Sequence, residues 1–196
     1  MILQGENAIS CYDGNLIHKR FAYRYFKKRT LPIGNIVAFR APMRVEVEGM
    51  IDLEDVLAGD YIYSDDAINF CWEIPGLQSY GAVCFQRLFN TQIANILSQI
   101  INKNIEVDGD DLIVHAEHNQ HGIIQQQGKV SVSITHTVGD AAIGHTGINI
   151  LAGRKAPAFA FSSELTDEQA QEFMQNVIET FYQMSDDIFI ATTKII

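Results

Sequence analysis

Positive charge is scarce in this chain. Fourteen Lys and Arg face twenty-four Asp and Glu over 196 residues, a formal net charge of −10. That balance excludes bulk binding to nucleic acid or to an anionic membrane, both of which need a cationic surface. Six of the fourteen cations, Lys19, Arg20, Arg24, Lys27, Lys28 and Arg29, crowd into one short segment. It reads as a solvated helix face and leaves the rest of the protein more acidic still. Cysteine is sparse as well. Cys11, Cys71 and Cys84 form no CxxC pair and are odd in number, which argues against a disulfide framework and for a reducing compartment. No apolar run approaches the roughly 20 residues that span a bilayer. The opening "MILQGENAISCYDG" has no basic stretch leading into an apolar one, so no signal peptide is expected. The expectation is a cytoplasmic protein. With four prolines and no Pro/Ser-rich linker, residues 1–196 read as one catalytic-type domain with a real core.

The hydrophobic patterning predicts its elements. Residues 14–29, "GNLIHKRFAYRYFKKR", have helical spacing. "NIVAFRAP" (35–42) reads as a buried strand halted by Pro42, and "MRVEVEGM" (43–50) alternates as a half-buried strand does. "DLEDVLAG" (52–59) predicts a short helix capped by Asp52 and stopped by Gly59. Residues 60–75 predict one or two strands around a Ser-Asp-Asp turn. The longest helical signal covers 80–104, where Val83, Leu88, Ile93, Ile96, Leu97, Ile100 and Ile101 recur at steps of three to five. A meander follows, with strands expected at 111–116, 129–136 and 145–151. Thr166 and Gln169 form a capping-box pattern before a last helix bearing Phe173, Val177, Ile178, Phe181 and Met184. The order predicts an α+β fold: a mixed or antiparallel sheet flanked by helices.

Chemistry concentrates near Lys129, a single cation between "QQQG" and "VSVSI". Alternation puts Lys129, Ser131, Ser133 and Thr135 on one side of a strand. An ammonium with three hydroxyls suits an anionic carboxylate or phosphate; a solvent-facing strand edge explains the same residues. His136 and His145 flank a hairpin and are candidates for acid–base work near neutral pH. Asp65 and Asp66 form a carboxylate pair at a turn, which fits proton sharing, metal binding or plain turn chemistry. The HxxHxxH run of His115, His118 and His121 offers a metal site, with a polar hairpin tip as the alternative. The cysteines and Trp72 are expected in the packing.

These segments resemble known families. "GDDLIV", "QGKVSVSI" and "GHTGINI" are similar to the catalytic core of lipoate–protein and biotin–protein ligases, where an Asp-bearing strand leads to a Lys-(Ile/Val)-Ser-Gly-Ser strand and a closing Gly-Ile-Asn strand. The resemblance implies a class II synthetase-like fold. It places Lys129 against the acid or its adenylate, with Asp111 and Asp65 beside it. It implies ligand contacts from Arg40, Tyr63, Asn69 and Asn149, to which the strand alternation adds Ser131 and Ser133 and the hairpin adds His136 and His145 as candidate ligand-binding residues. It further implies a small carboxylate or an acyl carrier as partner, with ATP or an acyl-adenylate, and magnesium if ATP is used. From about Ile36 to Asn149 the chain also resembles a small uncharacterised family best known from archaea, of the DUF366 type, through "VAFRAP", "DLEDVLAGDYIYSDD" and the "GKVSVSI" and "HTGIN" pair. The chain departs from the ligases in two places. It has "EDVLAGDYIYS" where they have a glycine- and arginine-rich loop, and Val132 where they have glycine. The expected activity is therefore acyl transfer or ligation on a small carboxylate or its activated form. A non-catalytic module for an acidic ligand or nucleotide is the alternative.

Overall fold

A computed structural model describes residues 1–5, 8–18, 20–26, 33–115 and 127–195. Its centre is an antiparallel sheet in the order β1 (Asn35–Arg40), β4 (Asp66–Pro75), β9 (Ala141–Leu151), β8 (Ser131–Val138). β4 and β9 occupy the middle, and their residues are buried almost without interruption. Such strands lose the polar alternation of a half-exposed sheet because both faces are covered. On one face Ile68, Phe70, Trp72 and Ile74 pack against two long helices, α3 (Ser79–Ile101) and α4 (Asp167–Thr192), through Phe85, Phe89, Phe173 and Phe181. On the other face Val37, Phe39, Cys71 and Ile143 meet Tyr12, Leu16, Ile17 and Phe21 from the start of the chain. Gly144 in β9 lies under Trp72: a Cβ there would sit 2.2 Å from the indole, so only glycine lets the ring lie flat on the sheet.

Two smaller sheets frame one end. β2 (Met43–Val45) pairs with β3 (Ile62–Ser64). β5 (Ile105–Asp108), β6 (Asp111–Val114) and β7 (Gly128–Lys129) form a three-stranded sheet whose Leu112 and Val114 join the core under α3. Between β2 and β3 runs α2 (Leu53–Ala58). It is capped by Asp52, which accepts from the Glu54 N–H at 2.8 Å, and ended by Gly59 at φ 72°. The α4 capping box is present in both directions between Thr166 and Gln169. The α+β architecture read from the patterning is the observed one.

Three elements differ from expectation. The helix predicted at 14–29 begins only at Phe21, as α1 (Phe21–Phe26). Asp13 turns the chain by accepting the Asn15 N–H, and Arg20 takes φ 62° while its own N–H goes to the buried Glu73 carboxylate. Residues 19 and 27–29 of that segment lie outside the described residues. The strand predicted at 43–50 stops at Val45, because β3 offers only three residues to pair with, and a 3₁₀ turn at Val47–Gly49 follows. The strand predicted at 129–136 divides at Val130. Its first part joins β6, its second joins β9, and β6 stays out of the four-stranded sheet. Among the described residues no helix is long and apolar enough to cross a membrane.

Candidate functional site

A cavity of about 460 Å³ opens where the two small sheets meet the edge of the large one. Its walls are of two kinds. Tyr12, Ile17, Val45, Ile62, Val132 and Ile134 make an apolar side. Lys129, Asp110, Asp111 and Asn149 make a polar end, and the α2 segment adds Asp52, Glu54, Asp55 and Asp60.

Lys129 is fixed by backbone on both flanks. It pairs with Ile113 of β6 on one side. On the other its N–H donates to the Phe159 carbonyl at 2.8 Å and its carbonyl accepts from the Phe161 N–H at 2.8 Å. Gly128 makes this approach possible, since a Cβ there would lie 2.7 Å from the Phe159 oxygen. The ammonium pairs with Asp111 Oδ1 at 2.6 Å, both side chains being about a third exposed or less. Asp110 pairs with Arg87 at 3.4 Å, and its carbonyl accepts from Asn90 Nδ2 at 3.0 Å. The turn that carries both aspartates is thereby tied to α3.

The two serines beside the lysine also hold the sheets and α3 together. Both border the cavity, and their oxygens take contacts within the fold. Ser131 Oγ accepts the Leu112 N–H at 2.9 Å, locking β8 to β6. Ser133 turns toward α3, where it accepts from Gln86 Nε2 at 2.9 Å and sits 3.1 Å from Thr146 Oγ1. Thr135 donates to the Ile143 carbonyl. The face that looks into the cavity is the one with Val132 and Ile134, because Ser133 lies opposite Thr146 and Ile134 opposite His145.

His145 is part of the wall. Its ring stacks on Tyr12 with centroids 3.7 Å apart and planes within 9°. Asn69 gives its Nδ2 to the Ala41 carbonyl, so its Oδ1 is left to accept from His145 Nε2–H at 2.9 Å. Burial pushes the imidazole down to about 3, which keeps it neutral across the physiological range. That removes it as an acid–base group near neutral pH. His136 does not face it: His136 is opposite Ile143 and His145 opposite Ile134. Burial lowers the His136 pKa too, although its hydrogen bond to the Ile17 backbone opposes the shift.

Other expected residues are spread out. Tyr63 lines the cavity, with the Arg44 guanidinium 3.7 Å above its ring and its hydroxyl donating to Asp65 Oδ1 at 2.8 Å. Asp65 also takes Arg44 at 3.0 Å; it supports Tyr63 from behind and is not among the lining residues. Arg40 is likewise absent from the lining. It forks onto Asp66 and reaches Asp167 at the start of α4, which makes it a clamp between sheet and helix. Asn149 lines the cavity at 4% exposure, and its Oδ1 has no hydrogen-bond partner among the described residues. His115 pairs with Glu106 at 2.6 Å, while His118 and His121 lie outside the described residues. Among the described residues no three His, Cys, Asp or Glu side chains are placed to hold a metal ion.

Sequence reasoning missed the α2 carboxylates and Tyr12. The one available signal was "DLEDVLAGD", a helix whose Leu53, Val56 and Leu57 find no core to enter and remain exposed.

The model of one family, described as a domain of unknown function, DUF366, matches residues 2–196. The chain belongs to the DUF366 family. Among solved structures this DUF366 chain is similar to a protein of unknown function from Pyrococcus horikoshi, at 24% identity and a TM-score of 0.83, covering 100% of this chain and 96% of that one. It is also similar to the biotin protein ligase from Aquifex aeolicus in complex with biotin and ATP, at 13% identity and a TM-score of 0.52, over 93% of this chain and 73% of the ligase. A bi-partite lipoate protein ligase from Thermoplasma acidophilum matches at 9% identity and a TM-score of 0.52, over 90% of this chain and 84% of that one. At such identities the likeness is one of fold: the DUF366 chain has the biotin/lipoate ligase architecture. A search of curated proteins finds no match.

Proposed function

We propose that this DUF366 protein is an acyl-transfer domain whose cavity holds a medium-length acyl group in an activated, uncharged form. The observation that carries the reading is the Lys129–Asp111 ion pair at the polar end of a cavity with one largely apolar side. The apolar side suits a hydrocarbon chain. The polar end does not suit a free carboxylate. Such a head would meet Asp111, Asp110 and Asp55, and each like charge at about 4 Å costs roughly 1–4 kcal/mol in the dielectric of a protein surface or of water. An ester or thioester carbonyl avoids that cost. It accepts from Lys129 while Asp111 keeps its own contact, and the ammonium then stabilises the oxygen charge that grows as the carbonyl is attacked. Asp111 positions the lysine, and Asp65 acts further out by holding Tyr63 and Arg44. The fold likeness to ligases that act with biotin or lipoate supports an acyl ligand.

Adenylation with ATP and magnesium fits these residues poorly. The segment that replaces the ligases' glycine- and arginine-rich loop is α2 with β3, and it turns carboxylates toward the cavity where a triphosphate needs N–H groups and cations. An acyl carrier or other thioester is the better donor. Calorimetry with octanoyl-pantetheine, followed by an assay for released thiol, tests the proposal. Lys129→Ala should weaken binding by about ten- to a hundredfold, the value of one charge-assisted hydrogen bond. Binding without thiol release in the presence of amines or water would make the protein a non-catalytic acyl-binding module. Equal affinities for parent and variant would remove Lys129 from the site.

A further inference from the structure

The cavity has a closed end, and the sheet register locates it. From Lys129 the wall follows β8 through Val132 to Ile134, and β9 adds Asn149 and His145. Ile134 lies opposite His145, so both strands still line the cavity at that rung. The next rung on the same face carries Glu73, Ile143 and His136 side by side on β4, β9 and β8. None of the three is a lining residue.

Ile17 covers that rung. It lines the cavity at 5% exposure and packs in the same apolar cluster as Ile143. Both polar members of the rung hold its segment down. His136 hydrogen-bonds the Ile17 backbone. The buried Glu73 carboxylate accepts the Arg20 N–H at 2.9 Å and the Arg20 guanidinium at 3.2 Å. Asp13 fixes the approach by accepting the Asn15 N–H at 3.0 Å, and Tyr12, stacked on His145, adds a second buried wall beside Ile17. A segment bonded to the central sheet at two points does not swing aside as a free loop does.

We propose that Ile17 is the stop that sets the longest unbranched acyl chain the cavity admits, with the reacting carbonyl at Lys129 and the terminal methyl of the chain against Ile17. This deepens the acyl-transfer reading and rests on it. The length follows from the strand. Five residues separate Lys129 from Ile134, about 16 Å at roughly 3.3 Å each. A contact distance of about 4 Å at the closed end leaves about 12 Å. An extended chain covers roughly 1.2 Å per bond, so about ten carbons fit. Octanoyl and decanoyl groups are admitted, and longer chains meet Ile17.

Calorimetry on the full-length protein with octanoyl-, decanoyl-, dodecanoyl- and tetradecanoyl-pantetheine tests the stop. In the parent, affinity should rise about fourfold per methylene up to decanoyl and fall by about tenfold or more at tetradecanoyl. Ile17→Ala removes about three carbons of side chain, so dodecanoyl should become the preferred chain while octanoyl, which ends short of Ile17, keeps its affinity. Ile17→Val is the milder change and should shift the profile the same way by about one carbon, which keeps the test intact if the alanine variant does not fold. In the parent, the terminal methyl of bound decanoyl-pantetheine should show a nuclear Overhauser contact to the Ile17 methyl groups. Affinity that climbs unbroken to tetradecanoyl, a length profile unchanged in both variants, or a terminal methyl in contact with α2 instead overturns the stop; thioester binding that still depends on Lys129 then leaves the acyl reading in place. The same cut-off for 1-octanol, 1-decanol and 1-dodecanol, with thioester affinities indifferent to Lys129→Ala, upholds the stop and removes the acyl reading. No binding by any chain ends both.

Discussion

Acid should unfold this protein earlier than its carboxylates alone would demand, and His145 is the reason. The imidazole is 1% exposed, stacked on Tyr12, and committed as Nε2–H donor to Asn69. Burial holds it at about 3, against 6.5 in an unfolded chain. The sign follows from linkage: the unfolded state binds the proton more readily, so the stability from the neutral ring is complete above pH ~6.5 and drains away as the pH falls. At ~1.4 kcal/mol per pH unit, roughly 2 kcal/mol is gone by pH ~5 and roughly 4 kcal/mol by pH ~3. His136 works in the same direction, and the raised Asp55 works against it by favouring the folded state in acid. The clean quantity is therefore the difference between the parent and His145→Gln, which keeps an N–H donor for Asn69. Urea unfolding at pH 7.5, 6 and 5, followed by the fluorescence of the single tryptophan Trp72, should show the parent losing about 2 kcal/mol more than the variant over that range. A pH dependence identical in the two proteins, or an NMR titration of His145 near 6.5, would refute the reasoning.

Gly144→Ala drives a methyl group into the Trp72 indole and should cost about 1–3 kcal/mol or more of stability, measured by the urea midpoint at constant slope. Arg40→Ala breaks the clamp onto Asp66 and Asp167; with side chains about a third or more exposed at Arg40 and Asp167, its loss should cost about 1 kcal/mol and leave octanoyl-pantetheine affinity unchanged by calorimetry.

The local signals that read correctly were those with a complete physical cause in a few neighbouring residues. Thr166 and Gln169 satisfy each other's backbone, Asp52 caps α2, and Gly59 ends it, so each shows in the sequence as it does in the fold. The uninterrupted apolar run of β9 and the long period of α3 also survive intact. Errors arose where a distant residue decides. Arg20 leaves the helical region because its N–H goes to Glu73, fifty-three positions away. The strand at Lys129 splits because Val130 gives its N–H to Leu112, in a different sheet from β9. Alternation rightly put Ser131 and Ser133 on one side; it carried no information that Ser131 Oγ accepts from β6 and Ser133 Oγ from α3. Lys129, Asp111, Tyr63, Ser131, Ser133, His145 and Asn149 all border one cavity; the motif resemblance brought Lys129, Asp111, Tyr63 and Asn149 together, and strand and hairpin patterning added the serines and His145. The α2 carboxylates were hidden because their meaning comes from the wall they face.

The central claim is that Lys129 meets an acyl carbonyl inside this cavity. Octanoyl-pantetheine labelled with ¹³C at the carbonyl reports on that contact directly. Bound to the parent, its carbonyl stretch should shift to lower frequency than in water-saturated octanol, because the ammonium polarises the C=O bond, and the shift should vanish in Lys129→Met. A bound thioester whose carbonyl frequency is the same in parent and variant would contradict the account.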